Sequence, residues 1–284
     1  GNLTKEELYN AVQFLAVAFI LYPVMPEKQF FGLVNLRYAI FIVILVSLIS
    51  FLSYVLLRKY GTTRGICYSG FLGGFVNSEA TTAALGGLSK SGMEMVDPVF
   101  TGVLLCNISM LFRNLALTLI VDPTGQTLLN MLPPQFVLIF ISTVVVLRRN
   151  KKFCPKEGLG FKIESPFSLG QAFKFGIAFT LILIIGNFAY NTGGTTGIYA
   201  TALGALVSSS GVIVSVTLLA VSGNISYTTA ANTAVLASLI STINKAFISK
   251  ISGSDTLLSV AKKTFGLTAV IGALALLLWN YIMI

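Results

Sequence analysis

Tyr68-Ser-Gly-Phe-Leu-Gly-Gly-Phe-Val-Asn-Ser78 and Tyr199-Ala-Thr-Ala-Leu-Gly-Ala-Leu-Val-Ser-Ser209 are one pattern written twice. In each, an aromatic residue leads into small residues and ends on Val followed by polar side chains. The second copy starts 131 residues after the first. The likeness continues on both sides. Upstream, Gly61-Thr-Thr63 answers Gly194-Thr-Thr196. Downstream, Val103-Leu104, Ile108-Ser109 and Arg113 answer Val235-Leu236, Ile240-Ser241 and Lys245 in the same order. Matches in order at nearly one spacing mark an internal duplication. Each copy centres on an apolar stretch that Gly, Asn and Ser would interrupt.

The surroundings of these copies decide the medium. Of the 284 residues, 55% are hydrophobic and 10% charged, whereas a soluble domain carries about 25% charged residues. Tyr38 to Leu57, Val99 to Val121, Phe136 to Leu147 and Ala172 to Ile185 carry almost no charge. A hydrocarbon core about 30 Å thick takes about 20 such residues per helix, and only internally hydrogen-bonded backbone is stable there. The expected fold is therefore an all-α integral membrane protein, a polytopic helical bundle forming a single transmembrane domain over 1–284. Nine apolar segments can be marked, at 8–22, 36–57, 65–88, 98–121, 131–147, 168–190, 196–221, 228–248 and 263–283.

Charge then orients them. With nine full spans, the basic loop Arg58–Arg64 and the basic linker Arg148–Lys162 would face opposite sides, against the positive-inside tendency. If 65–88 and 196–221 are instead hairpins that enter and leave on one side, all the basic loops fall together. The expectation is seven spans plus two re-entrant or broken-helix hairpins, with nine spans as the alternative. The two repeats are then inverted relative to each other, as in many transporters. Residues 1–32 form an extra N-terminal helix, 33–150 the first repeat, 151–165 a basic cytoplasmic linker and 166–284 the second repeat. The chain is expected in the plasma membrane of a prokaryote, multi-pass, with its N-terminus in the cytoplasm. Residue 1 is Gly and no basic run precedes the first apolar block, so a fragment or cleaved form is expected rather than a secreted protein.

The duplicated breaks also gather the polar side chains. Glu79 is the sole acidic residue inside an apolar segment, and an ionisable group at that depth is a functional hypothesis by default. It falls in the first turn after Asn77-Ser78, where the helix dipole favours negative charge, and it is the candidate metal ligand. Thr81 and Thr82 add neutral oxygens, and Ser208, Ser209 and Ser210 are their counterparts at the second tip. Such oxygens suit a hard cation such as Mg²⁺. Arg113 follows Asn107 and Ser109 on one span, and Lys245 follows Ser241 and Asn244 on the matching one; Ser109 and Arg113, like Ser241 and Lys245, share a helix face. Arg113, Lys245 and the helix N-termini suit an anion instead. Snorkelling to headgroups is the ordinary alternative for both cations.

Other functions are excluded more simply. The net charge of +9 without histidine fits cytoplasmic loops on anionic lipid. No basic run carries interleaved aromatics, so nucleic acid is not an expected partner. Cys67, Cys106 and Cys154 lack metal or redox spacing. No nucleophile–base or metal constellation appears, so an enzyme is not expected and no catalytic residue is assigned. No cofactor is expected beyond a transported or coupling cation.

Leu3-Thr-Lys-Glu-Glu-Leu-Tyr-Asn-Ala-Val-Gln-Phe14, with Leu72-Gly-Gly-Phe-Val-Asn-Ser78 and Ala80-Thr-Thr82, resembles a known family across essentially the whole chain. It is similar to the membrane domain found C-terminal to the MgtC/SapB domain in many prokaryotic proteins. That family has Ser-Ser or Ser-Thr where this chain has Ser78-Glu79, which sets Glu79 apart from the shared motif. The resemblance implies a loose association with magnesium and an upstream MgtC-like domain, with no substrate or catalytic residue to carry over. The expected function is a transporter or channel moving a small ion, a cation such as Mg²⁺ before an anion. A non-transporting regulator or scaffold is the other class. The expected partners are the bilayer, the small ion and a second copy of the chain.

Overall fold

The computed structural model describes residues 5–24, 29–30, 34–35, 65–149 and 169–282, with isolated positions between 37 and 48. The span expected at 36–57, apart from those isolated positions, and the linker 151–165 lie outside the described residues. Helix α1 covers Lys5–Val24, followed by a small antiparallel ribbon in which β1 (Gln29–Phe30) pairs with β2 (Val34–Asn35). The remaining helices are α2 Gly65–Val76, α3 Ser78–Leu88, α4 Val96–Val121, α5 Gln126–Arg149, α6 Leu169–Ala200, α7 Ala205–Val221, α8 Tyr227–Ser252 and α9 Asp255–Ile282, joined by short turns. Among the described residues, five helical stretches are long and apolar enough to cross a membrane. They are Met93–Val121, Gln126–Arg149, Asn191–Val221, Tyr227–Ser252 and Asp255–Ile282. The first and third are 72% buried over their apolar windows and the last 28%, so α4 and the stretch containing α7 are the inner helices and α9 an outer one.

Glycine in α2 would weaken a helix in water by about 1 kcal/mol per residue. Here it lets two backbones meet. A β-carbon on Gly70 would overlap the Gly102 carbonyl of α4, and one on Gly74 would overlap the Ser109 hydroxyl and the Cys106 carbonyl. Helices in lipid gain no hydrophobic drive to associate, so close packing of this kind is what holds them. Beyond α2, α3 packs against α8 as well as α4, and α7 packs against α4 as well as α8. Each half of the chain thus lays a short helix on a long helix of the other half.

Two apolar clusters surround this crossing. Met110 and Leu117 of α4, Leu138 of α5, Val212 and Val216 of α7 and Val235 of α8 belong to the larger. Ile66, Leu85, Phe100, Val103, Leu257 and Phe265 belong to the second, where the Phe100 and Phe265 rings meet edge to face at 6.1 Å. The Arg149 guanidinium lies 4.8 Å above Phe100 and bonds Asp97 at 2.8 Å, tying the end of α5 to the start of α4.

The opposite end of α4 stops at Asp122-Pro123. The buried Asp122 carboxylate accepts from the Thr124 amide at 3.1 Å, from the Thr124 hydroxyl, and from the Thr127 amide in the first turn of α5 at 2.8 Å. Burial pushes this carboxyl up, but the hydrogen bonds from Thr124 and Thr127 outweigh it and hold the group below the usual carboxylate value.

Candidate functional site at two helix breaks

The chain leaves helical geometry once inside 65–88 and again inside 196–221. At Asn77 the backbone is extended, φ −156° and ψ 106°. Ser208 has φ −158° and ψ 107°, so corresponding residues of the two copies make the same bend. Each then caps the helix that follows. The Asn77 side-chain oxygen accepts from the Ala80 amide at 3.0 Å, and the Ser208 hydroxyl accepts from the Gly211 amide at 3.1 Å. Asn and Ser serve here because a short polar side chain substitutes for the missing carbonyl of the previous turn. A further break at Gly194, with φ 56°, separates the long part of α6 from its last six residues, close to the boundary expected between 190 and 196.

A bend frees carbonyls on its N-terminal side, and in lipid these need donors. At the first break Arg113 of α4 supplies them, its Nη1 lying 3.3 Å from the Phe75 oxygen and 3.4 Å from the Val76 oxygen. At the second, Asn244 of α8 donates to the Leu206 oxygen at 3.1 Å. Leu206 follows Phe75 by 131 residues, so the same orphan is satisfied by an arginine in one repeat and an amide in the other.

The two sides are joined where α4 meets α8. Glu79 is half-buried and accepts a hydrogen bond from the Ser241 hydroxyl at 3.1 Å. That hydroxyl also sits 3.0 Å from the Met110 sulfur; with one proton to give, it favours the carboxylate. Lys245 is 0% exposed and Arg113 7%, so neither cation snorkels. Among the described residues, the Lys245 ammonium meets the Met110 sulfur at 3.1 Å and the Ser241 carbonyl at 3.4 Å.

A family model described as a domain of unknown function, DUF4010, matches residues 44–253, which takes in both breaks, both cations and Glu79. The chain belongs to the DUF4010 family. An "Uncharacterized protein" of Aquifex aeolicus (strain VF5) is 31% identical over 143 residues, covering 50% of this chain and 61% of that protein. The chain therefore spans less than two thirds of that relative's length. No solved structure matches. These similarities establish the DUF4010 membership and carry nothing about an MgtC/SapB neighbour.

Within the DUF4010 region the sequence-predicted residues divide. Asn77, Glu79, Arg113, Ser208, Ser241, Asn244 and Lys245 line the breaks and the α4–α8 crossing as just described. Ser78, Thr81, Ser209 and Ser210 are buried in the first turns after the breaks, and the hydroxyls of Ser78, Thr81 and Ser209 have no hydrogen-bond partner. Thr82 is turned inward, bonding the Ser78 carbonyl at 2.7 Å beside Cys106. Ser109 bonds the Cys106 carbonyl at 3.0 Å beneath Gly74. Asn107 faces another way, donating to Ser142 of α5 and accepting from Thr242 of α8. It joins a buried polar seam, in which Asn114 and Gln135 both donate to Ser238 at 3.1 and 3.2 Å. Asn114 and Gln135 were legible as polar residues in apolar spans; Met110, which bridges Lys245 and Ser241, gave no signal at all.

Proposed function

We propose that the chain is a membrane transport protein, a secondary transporter or channel, that passes a small anion between the two helix breaks. The observation that carries this reading is the balance of charge at the α4–α8 crossing. Two buried cations, Arg113 and Lys245, stand against one half-buried carboxylate, Glu79. A buried charge without a full partner costs several kcal/mol, about 3–5 where a partner has been removed, and a mobile anion relieves it. The N-termini of α3 and of the helix after Ser208 add partial positive charge. The Mg²⁺ expected from Glu79 would sit beside two fixed cations. No cluster of acidic, histidine or cysteine side chains that could hold a metal ion occurs among the described residues. A cation reading keeps one supporting contact, the Ser241 hydroxyl on Glu79.

Flux into proteoliposomes across a panel of anions and cations tests the reading. Anion flux is expected, lost in Lys245→Met and retained in Glu79→Gln. Cation flux that disappears in Glu79→Gln and survives in Lys245→Met would reverse the sign of the substrate. Absence of any flux would return the chain to the regulator or scaffold class.

The topology belongs to the same proposal: seven spans and two hairpins in inverted repeats, in a prokaryotic plasma membrane, with the N-terminus inside. Its support is the matching bend at Asn77 and Ser208 and the reciprocal packing of α3 on α8 and α7 on α4. Single cysteines at Thr62, Lys90, Asn150 and Ser254 in a cysteine-free background should all react with an impermeant reagent from one side. Labelling of Asn150 from the side opposite to Thr62 would restore nine spans. A second copy of the chain and an upstream MgtC-like domain are its proposed partners.

A further inference from the structure

Among the buried side-chain atoms without a hydrogen-bond partner, those at the two breaks share one character. They are the Arg113 Nε, the Ser78 hydroxyl, the Thr81 hydroxyl and the Ser209 hydroxyl, and every one can donate. Among the described residues there, the side chain that only accepts is Glu79, already bonded to Ser241. We propose that the transported anion is a monovalent oxyanion, held side-on by the Nε edge of Arg113 and by the hydroxyls of Ser78 and Ser209. This inference rests on the anion reading given above.

The guanidinium decides the shape of the ligand. Its Nη1 is engaged by the Phe75 and Val76 carbonyls, which fixes the plane of the group. Its Nε is buried and unpartnered, and an arginine does not shed that proton. The edge formed by Nε and its neighbouring nitrogen presents two parallel N–H bonds that fit two oxygens of one carboxylate or nitrate. A halide can use such an edge only as a point charge. A cation cannot use it at all.

The duplication supplies the remaining donors. Ser78 and Ser209 correspond at 131 residues, each is the first residue after its break, and each hydroxyl is buried without a partner. Lys245 adds an ammonium held only by a sulfur and a carbonyl. Charge then sets the valence. Arg113 and Lys245 against Glu79 leave one positive charge over, which a monovalent anion neutralises and a divalent one overshoots.

The full chain in nanodiscs, at constant ionic strength, tests this by ligand-induced thermal stabilisation and by competition for flux. Formate, acetate and nitrate should bind about tenfold or more tightly than chloride or sulfate, since a lost charged hydrogen bond is worth that factor. Arg113→Lys keeps the charge and removes the fork. It should bring nitrate and acetate down to the level of chloride while chloride binding persists. Ser78→Ala with Ser209→Ala, which preserves volume, should weaken the oxyanions severalfold at unchanged thermal stability of the free protein. Chloride binding as tightly as nitrate and acetate would overturn the oxyanion inference and leave the anion reading standing. Sulfate binding most tightly would overturn the valence. Unaltered nitrate and acetate affinity in the double serine variant would overturn the proposed ligand set even if Arg113→Lys failed to fold. Cations moving with no anion flux would sink the underlying reading instead.

Discussion

At Asn77 the backbone turns through φ −156° and ψ 106°, and at Ser208 through φ −158° and ψ 107°. The geometry is the same at both breaks; the chemistry is not. The first break carries Glu79 next to its cap and takes its donor from a buried arginine. The second carries Ser210 in place of the carboxylate and takes its donor from Asn244. Even the helix packing differs. Gly70 meets the Gly102 backbone directly, while the corresponding Thr201 carries a side chain that bonds the Ile198 carbonyl at 2.6 Å. Local backbone form depends on a few small polar residues, and both breaks have them. Charge is set by single side chains, and there the two breaks differ.

Replacing Gly70 by Ala should break the comparison most severely. Its β-carbon would overlap a backbone carbonyl, which no rotamer change relieves, so α2 must leave α4. A loss of about 3 kcal/mol or more is expected, read as collapse of monodisperse yield and melting temperature. Thr201→Ala in the other repeat should cost only about 1 kcal/mol, the worth of one hydrogen bond.

The buried cations come next. Lys245→Met removes an ammonium that contacts no carboxylate among the described residues, so it should cut anion flux about a hundredfold, while the melting temperature stays or rises. Arg113→Gln should also lose flux but lower the melting temperature, because the Phe75 and Val76 carbonyls lose their donor. Equal melting temperatures for the two variants would remove the structural role assigned to Arg113.

The caps sharpen the likeness. Asn77→Ala and Ser208→Ala should each cost about 1 kcal/mol, and the exchanges Asn77→Ser and Ser208→Asn should be nearly neutral. A cap worth nothing at one break would show that tertiary contacts alone hold that bend.

The smallest effect lies at the ends of the long helices. Asp122 caps α5 as Ser254 caps α9, where its hydroxyl accepts from the Leu257 amide at 3.3 Å. The folded Asp122 carboxyl lies below the ordinary value. Its contribution is therefore complete above the unfolded pKa, about 3.9, and is lost as pH falls through the lower folded value. Thermal stability should decline below about pH 4 in the native chain, and Asp122→Asn should lack this part of the decline. Ser254→Ala should shift stability equally at every pH.

Much of this was readable beforehand because lipid imposes simple rules. Long uncharged blocks had to be helices, and the break at Asn77-Ser78 followed from residues that compete with helical hydrogen bonding. The second break was found only through its likeness to the first, since Val207-Ser-Ser-Ser-Gly211 by itself is unremarkable in a membrane helix. Ser109 shares the Arg113 face of α4, yet its hydroxyl bonds the Cys106 carbonyl of its own helix, the ordinary alternative for a serine within a helix. Asn107, six residues before Arg113, faces Ser142 and Thr242 instead.

By itself the sequence determined the helical class, the apolar stretches long enough to cross a membrane, and the likeness between 68–78 and 199–209. These depend on composition and on residues adjacent in the chain. Only the tertiary structure decided that Arg113 and Lys245 are buried at the α4–α8 crossing rather than drawn out to headgroups. A long cationic side chain can do either, and which it does depends on the faces that two distant helices present to each other. The same packing set Met110 against Lys245 and left the Arg113 Nε and two serine hydroxyls without protein partners. Unmet hydrogen bonds are a property of three-dimensional enclosure, and no spacing along a chain encodes them.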